Sequence, residues 1–174
     1  MSSVDASLDE LLKRRSEQLA RQVQADDTGD EIEVLICRQG DERYAVETRT
    51  LRSVQWASGV APVPSTPPWV VGIVSVRGEI VSLFDLATMI ALSPSARASR
   101  AEPLPVLLLG LPGLRCGLVV DEVLGVECLR LSSLQPSLSG REFARGLAPG
   151  PTVLLDVDQL MASGRFTVND EAAH

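Results

Sequence analysis

The chain has 174 residues, of which 45% are apolar but only 3% aromatic, and its formal net charge at pH 7 is −7. This length suffices for one ordinary domain or two small units that share a core, and a core built from Val, Leu and Ile favours short strands. Because the charge is acidic and Lys13 is the only lysine, nucleic acid is not an expected partner.

Each apolar run is broken by a charged residue, Pro or Gly well before the roughly 18 residues of a membrane span, and the N-terminus lacks the order of a signal peptide. We therefore expect a cytoplasmic protein with no direct membrane insertion. The cysteines Cys37, Cys116 and Cys128 have no C-x-x-C spacing and sit among apolar neighbours. This pattern favours free, buried thiols over a metal or redox site.

Residues 7–23, "SLDELLKRRSEQLARQV", carry a helix signature. Ser7 and Glu10 make a capping box. The residues that share one face of this helix are Leu8, Leu11, Leu12, Leu19 and Val23. Such a stripe docks on its own domain or pairs with a partner helix, and both remain open. With the polar residues 24–30, the helix makes an N-terminal segment over residues 1–30.

From residue 31 the pattern changes to short strands. Hairpins are predicted with turns at Gly40 and Asp41 and at Pro112 and Gly113. Placing residues 43–46 on residues 115–118 gives an offset of 72 that also aligns other parts of the two halves. We predict two similar β units of about 70 residues, each closed or nearly closed into a barrel and packed on the other, within residues 31–165.

The polar residues 93–103 connect the two units, and residues 166–174 form a C-terminal tail. Residues 69–86 of the first unit, "WVVGIVSVRGEIVSLFDL", predict a hairpin with Arg77 and Gly78 at an exposed turn. Gly78 supplies a positive φ at this turn, and Gly72 allows close packing of the backbone.

The usual catalytic groups are missing from this pattern. The single histidine, His174, is the last residue, and Lys13 lies outside any phosphate-binding loop. Asp156 and Asp158 are expected to share a strand face, which is not how a glycosidase pair is built. The residues therefore favour a binding module over an enzyme and predict neither a cofactor nor a metal.

Two segments resemble the signatures of the CheW family of bacterial chemotaxis coupling proteins. "VVGIVSVRGEIVSLFDL" is similar to its central Asn-x-Arg-Gly hairpin, and "CGLVVDEVLGV" to its second signature. "YAVETRTLRSVQW" and the Gly146-Leu147 turn before "TVLLDVDQLM" match in order and spacing. The resemblance covers roughly residues 31–162.

The resemblance implies a mainly β fold of two packed five-stranded SH3-like barrels with an N-terminal helix and short connecting helices. It implies an adaptor without enzymatic activity that joins the cytoplasmic tips of methyl-accepting chemoreceptors to the regulatory domain of a CheA-type histidine kinase, in arrays at the membrane. Partners are expected in an apolar groove between the barrels and at the loops of the first barrel. The candidate partner-binding residues are Val54, Trp56, Arg77, Gly78 and Glu79, and the candidate structural turn residues are Gly72 and Gly146.

Three positions depart from the family pattern. Ser75 replaces the usual Asn, Ser82 replaces the usual Pro, and Trp56 replaces a glutamate associated with partner contact. Trp56 is expected to stack on Arg77, to anchor an interface, or to lie buried in the barrel. Its presence leaves a second hypothesis open, an accessory protein that binds receptors but not the kinase. A third hypothesis, a small-molecule-binding β-barrel protein, is disfavoured by the lack of an internal histidine or lysine.

Overall fold

The computed structural model describes residues 30–90, 101–136 and 142–166. In these residues the strands are β1 Glu31–Gln39, β2 Glu42–Glu47, β3 Leu51–Ala57, β4 Val70–Val76, β5 Glu79–Asp85, β6 Leu104–Leu109, β7 Cys116–Val119, β8 Glu122–Arg130, β9 Ala144–Ala148 and β10 Thr152–Leu155. The helices are α1 Leu86–Met89 and α2 Val157–Ala162, with 3-10 turns at Thr48–Thr50 and Leu131–Ser133. The predicted helix over residues 7–23 and most of the connection over residues 93–103 lie outside the described residues.

The strands form two five-stranded sheets, one in the order β8-β1-β2-β10-β9 and the other in the order β3-β6-β7-β5-β4. The mainly β architecture is thus as expected. The prediction that each unit supplies its own sheet is wrong. The β1–β2 hairpin of the first unit joins β8, β9 and β10 of the second, and the β6–β7 hairpin of the second unit joins β3, β4 and β5 of the first. The two units therefore exchange their first hairpins.

The internal repeat extends to the register of the strands. Leu35 lies opposite Val126 in the first sheet, and Leu107 lies opposite Val54 in the second. Both pairs obey the offset of 72 residues that the sequence shows. The parallel pairings of β10 with β2 and of β5 with β7 repeat in the same way. The two sheets are consequently related by a pseudo-twofold arrangement of equivalent residues.

Each sheet is linked back on itself by one pair of bridging residues. Ala61, in the segment after β3, bonds to Ile73 of β4 through two backbone hydrogen bonds of 2.9 Å. Gln135, in the segment after β8, bonds to Leu147 of β9 through hydrogen bonds of 2.9 and 2.8 Å. Each bridge joins the segment after one edge strand, β3 or β8, to the opposite edge strand, β4 or β9. The two edges of each sheet are thereby brought together, as an SH3-like barrel requires.

The core has three parts. One apolar cluster lies within the first sheet and one within the second. The largest cluster combines buried residues of both sheets, including Leu35, Tyr44, Phe84, Leu107 and Leu118, and we call it the inter-sheet cluster. Because both sheets contribute apolar residues to this cluster, burial of those residues holds the two sheets together.

Equivalent aspartates begin the two α-helices. Asp85 Oδ1 accepts a hydrogen bond of 2.8 Å from the backbone N–H of Thr88, and Asp156 Oδ1 accepts one of 2.9 Å from that of Gln159. Each carboxylate thus satisfies a free donor of the first helical turn. The expectation that Asp156 and Asp158 share a strand face is wrong, since the first caps α2 and the second lies in its first turn.

The described chain ends in the core. Phe166 is buried, with its ring centroid 4.8 Å from that of Phe84 in an edge-to-face contact. The indole Nε1 of Trp69 donates a hydrogen bond of 2.7 Å to the carbonyl oxygen of Arg165. Residue 166, which we expected to begin a tail, therefore belongs to the packed domain.

Candidate partner-binding surface

The hairpin of β4 and β5 turns at Arg77 and Gly78, as the sequence predicts. Val76 pairs with Glu79 across the two-residue loop, and the φ angles of Arg77 and Gly78 are 51° and 82°. Two positive φ angles in succession are typical of a type I′ turn, whose twist matches that of the strands. Left-handed backbone at a non-glycine residue costs about 1–2 kcal/mol. The arginine is therefore not the residue that stability alone would select.

Arg77 is exposed, and the described residues offer its guanidinium neither an ion pair nor a hydrogen bond. An arginine at the tip of a fixed hairpin can make bidentate contacts with a carboxylate at low entropic cost. Strained backbone that displays an unpaired charged group is a feature of binding sites. The geometry is thus consistent with Arg77 as a contact residue.

Glu79 anchors the tip to two other elements. Its carboxylate lies 3.0 Å from Nη1 of Arg52 on β3 and 2.9 Å from Nη1 of Arg115, which precedes β7. The hydrogen bond from Arg52 is the main reason that the pKa of Glu79 lies below its ordinary value, with the charges of Arg115 and Arg52 adding to it. We call Arg52, Arg77, Glu79 and Arg115 the hairpin-tip cluster. Three arginines against one glutamate leave it basic on an acidic protein.

Trp56 lies on β3 opposite Pro105, and its side chain is 60% exposed. The prediction of a buried Trp56 is therefore wrong. It also does not stack on Arg77, because the cation–π contact found among the described residues joins Arg165 to Phe143. Arg52, which pairs with the hairpin tip, is four residues away, or about 13 Å along the strand. Of the three hypotheses for Trp56, its exposure is consistent with the interface anchor.

Val54 lies between the hairpin-tip cluster and Trp56 on β3. It is half-buried and packs against the inter-sheet cluster. Since alternate residues of a strand share a face, Val54 and Trp56 point to the same side of the second sheet. Both residues therefore lie beside the seam between the sheets, where the groove was expected.

Gly72 and Gly146 lie in strands and not in the predicted turns, whereas the close backbone packing expected at Gly72 is present. Gly72 is within β4 and Gly146 within β9. Each immediately precedes the residue that makes a bridging pair, Ile73 or Leu147. The bridging segment passes so close to Gly72 that a Cβ has no room, and so close to Gly146 that a Cβ would require a shift of a few tenths of an ångström. Their role is close approach of two backbones rather than reversal of the chain.

Comparison with known proteins identifies the family. The model of the CheW-like domain matches residues 33–165. The chain belongs to the CheW-like family. It is 27% identical over 149 residues to the chemotaxis protein CheW of Klebsiella aerogenes, an alignment that covers 81% of this chain and 88% of that protein. It is 30% identical over 115 residues to protein FrzA of Myxococcus xanthus, covering 66% of this chain and 69% of that protein.

A solved structure has the same fold. The crystal structure of the scaffolding protein TtCheW from Thermoanaerobacter tengcongensis superposes with a TM-score of 0.62 and 19% sequence identity, covering 71% of this chain and 83% of that chain. The match confirms the expected fold of two packed SH3-like units for this CheW-like chain.

Sequence reasoning missed three exposed apolar residues. Ile80 on β5, next to Glu79, is 66% exposed, and Leu124 and Val126 on β8 are 45% and 57% exposed. The signal for Val126 was present, because the offset of 72 makes it the equivalent of Val54. For Ile80, the sequence predicts a place in the returning strand but not which face of the strand it occupies. Its pairing with the exposed Ser75 puts it on the outer face of the hairpin.

The cysteines of the CheW-like domain differ in environment. Burial raises the pKa of the Cys37 thiol to about 12, with a smaller contribution from the charge of Asp121, and burial raises that of Cys116 to about 12. Cys128 on β8 is exposed, so the prediction of three buried thiols is wrong at this position. The sequence could not distinguish it, because its neighbours along the chain do not reveal which face is covered.

None of the clusters of His, Cys, Asp and Glu in residues 30–90, 101–136 and 142–166 has the composition and spacing to hold a metal ion. In residues 30–90, 101–136 and 142–166, none of the helices combines the length and the apolar character that a membrane span requires.

A surface cavity of about 400 Å³ lies between the end of β2 and α2. At its floor, the buried carboxylate of Glu47 pairs with the guanidinium groups of Arg49 and Arg145. The lining residues include no histidine, lysine or cysteine. In this CheW-like chain the cavity thus contains an internally neutralised carboxylate rather than a nucleophile with its base.

Proposed function

We propose that this protein is a non-enzymatic adaptor that couples methyl-accepting chemoreceptors to a CheA-type histidine kinase in a bacterial chemotaxis or motility array. One observation carries the proposal: in a chain of the CheW-like family, Arg77 is exposed at a strained, braced hairpin tip and has no partner among the described residues. Relatives named as CheW and FrzA support the same role.

An adaptor requires two contact surfaces, and two patches of different chemistry among the described residues support this proposal. The hairpin-tip cluster is basic and charged, whereas the seam beside Val54 and Trp56 is apolar. We assign the hairpin-tip cluster, through Arg77, Gly78 and Glu79, to the regulatory domain of the kinase. We assign the apolar seam to the helical tip of the receptor, which can lay an apolar face into such a groove. Binding to receptors would recruit the adaptor to the membrane without inserting it.

A binding experiment with separated partners tests the assignment. Arg77→Ala is expected to weaken binding to the kinase regulatory domain by about tenfold or more, as loss of a central arginine contact does, and to leave receptor binding unchanged. Arg38→Ala is the matched control, because Arg38 is an exposed arginine on the other sheet that pairs with Glu122. Failure of the unaltered protein to bind either partner would refute the adaptor role.

The exposure of Trp56 favours one alternative. Where the family commonly has a glutamate, this chain presents a 60% exposed indole, so an accessory protein that binds receptors but not the kinase is the second candidate. Under this alternative the wild type does not bind the kinase, and Trp56→Glu creates or strengthens that binding. If the wild type binds the kinase and Trp56→Glu changes neither binding nor kinase activation, the alternative is wrong.

A further inference from the structure

The strand β8 presents apolar side chains on an open edge. It pairs with β1 on one side only, and its exposed residues include Leu124, Val126 and Cys128. Val126 lies opposite Leu35 and Cys128 opposite Glu33, so both share the side of the sheet on which Leu35 joins the inter-sheet cluster. Leu124, at the bulge between the pairs of Val123 and Gly125, has no register partner and is exposed beside them. We call these three residues the β8 face. Proteins commonly cover an apolar edge strand with a helix or loop.

We propose that the N-terminal helix predicted over residues 7–23 docks along β8, with its leucine stripe on the β8 face. The proposal is independent of the adaptor role. The occupant is a segment of the same chain, and its sequence predicts an apolar stripe that needs a surface to cover it.

The point at which the described chain begins makes this docking reachable. The carbonyl oxygen of Asp30 accepts a hydrogen bond of 2.7 Å from the N–H of Leu131, so the chain enters β1 beside the end of β8. From there Val126 is about 13 Å back along β8. Residues 24–29 can span up to about 20 Å. A helix over residues 7–23 is about 25 Å long, close to the roughly 30 Å of β8.

Electrostatic complementarity favours docking of the helix on β8 over docking on the pseudo-symmetric equivalent strand β3. Arg15 follows Leu12 by three residues and precedes Leu19 by four, so it lies within the leucine stripe of a helix. Glu33 is exposed beside the β8 face and receives a hydrogen bond of 2.9 Å from the hydroxyl of Thr48, but pairs with no arginine of the described residues. Docking on β8 would bring Arg15 to Glu33. Docking on β3 would bring it toward the three arginines of the hairpin-tip cluster.

The docked helix would shield the β8 face from other proteins, and Cys128 reports on it. Because Cys37 and Cys116 are buried, Cys128 is the thiol of the native protein that an alkylating reagent reaches. Its rate of modification in the full chain measures how often the helix leaves the β8 face.

The experiment compares full-length variants by the rate of maleimide modification of Cys128, located by mass spectrometry. Leu12→Ser with Leu19→Ser removes two stripe residues and is expected to speed modification about tenfold, which corresponds to about 1.4 kcal/mol of docking free energy. Lys13→Ser with Glu17→Ser is the matched control, since both residues lie off the stripe and their charges cancel. It is expected to leave the rate unchanged.

A charge exchange tests the pairing separately from the stability of the helix. Arg15→Glu and Glu33→Arg are each expected to speed modification, and their combination is expected to restore the slow rate. Equal rates in the wild type and the leucine variant would overturn the proposal. Slow modification that disappears on dilution would also overturn it, because a second copy of the chain would then be the occupant.

Discussion

Gly72 and Gly146 occupy equivalent positions in the two sheets, each beside the carbonyl of a bridging residue. A Cβ on Gly72 would lie 2.3 Å from the carbonyl oxygen of Ala61, and one on Gly146 would lie 3.1 Å from that of Gln135. The backbone hydrogen bonds of the two bridges have nearly the same lengths, so the difference lies in the space beside the glycine. The same kind of backbone bridge therefore tolerates a Cβ less well at Gly72 than at Gly146.

We expect Gly72→Ala to lower the free energy of unfolding by about 3 kcal/mol, because it combines a backbone clash with a φ of 152°. Gly146→Ala is expected to cost about 1 kcal/mol, since a shift of a few tenths of an ångström relieves its contact. Denaturant unfolding measures both.

Gly125→Ala is the control for the backbone angle. Gly125 has a φ of 147°, but a Cβ there meets nothing within 4 Å. The difference between Gly72→Ala and Gly125→Ala isolates the clash. Equal losses at these two positions would show that the close approach of Ala61 is not what requires a glycine.

The repeat could be read from the sequence, but the exchange of hairpins could not be read from the repeat. Since Leu35 is equivalent to Leu107 and Val54 to Val126, pairing within a unit and pairing between units satisfy the same apolar pattern. What decides is the connection from β2 to β3, which is the short turn Thr48–Thr50. In the sheet of β1 and β2, the strand equivalent to β3 is β8, which pairs with β1 and runs parallel to β2. A connection between parallel strands of one sheet needs about a dozen or more residues, so this short turn cannot place β3 there. The chain therefore continues into the other sheet.

The candidate surface was predictable at the hairpin and less so elsewhere. The Arg77-Gly78 turn follows from local sequence, because turn chemistry is a matter of adjacent residues. The surroundings of Trp56 depend on which strand lies beside β3 and where that strand ends, and no local pattern contains this information. The ion pairs of Glu79 with Arg52 and Arg115 join residues far apart in the chain for the same reason.

Stability and binding are expected to change in opposite directions at Arg77. Arg77→Gly relieves the left-handed strain and should raise the free energy of unfolding by about 1 kcal/mol, while it removes the exposed guanidinium. We expect kinase binding to weaken by at least about 1 kcal/mol. Denaturant unfolding and titration with the kinase regulatory domain measure the two effects. A glycine variant that is more stable and binds as well as the wild type would show that Arg77 makes no contact.

The ion pairs of Glu79 predict a pH dependence. The pKa of this carboxyl is lowered from 4.5 in the folded protein. The stability due to the pairing is therefore fully present above the unfolded value and is lost as the pH falls through the lower, folded value. Glu79→Gln should be less stable than the wild type at neutral pH.

Unfolding of the two proteins from about pH 6 to about pH 3 checks the sign, since the wild type should lose its advantage over this range. Added salt should reduce the advantage at pH 6, because about 1 M salt screens exposed charges beyond about 3 Å. A difference that stays constant with pH would mean that the carboxylate charge contributes nothing to stability.

The unequal environments of the three cysteines predict a native thiol count of one. Burial raises the pKa of both Cys37 and Cys116 to about 12, so at about pH 8 only about one in ten thousand of these groups is the reactive thiolate, and the reagent has no access to it. Cys128 is exposed and should react. Titration with a chromogenic disulfide should give one thiol per native chain and three in denaturant. Cys128→Ser should leave none that reacts before unfolding, and a second reactive thiol in that variant would show that a buried cysteine is reached by local opening of the sheets.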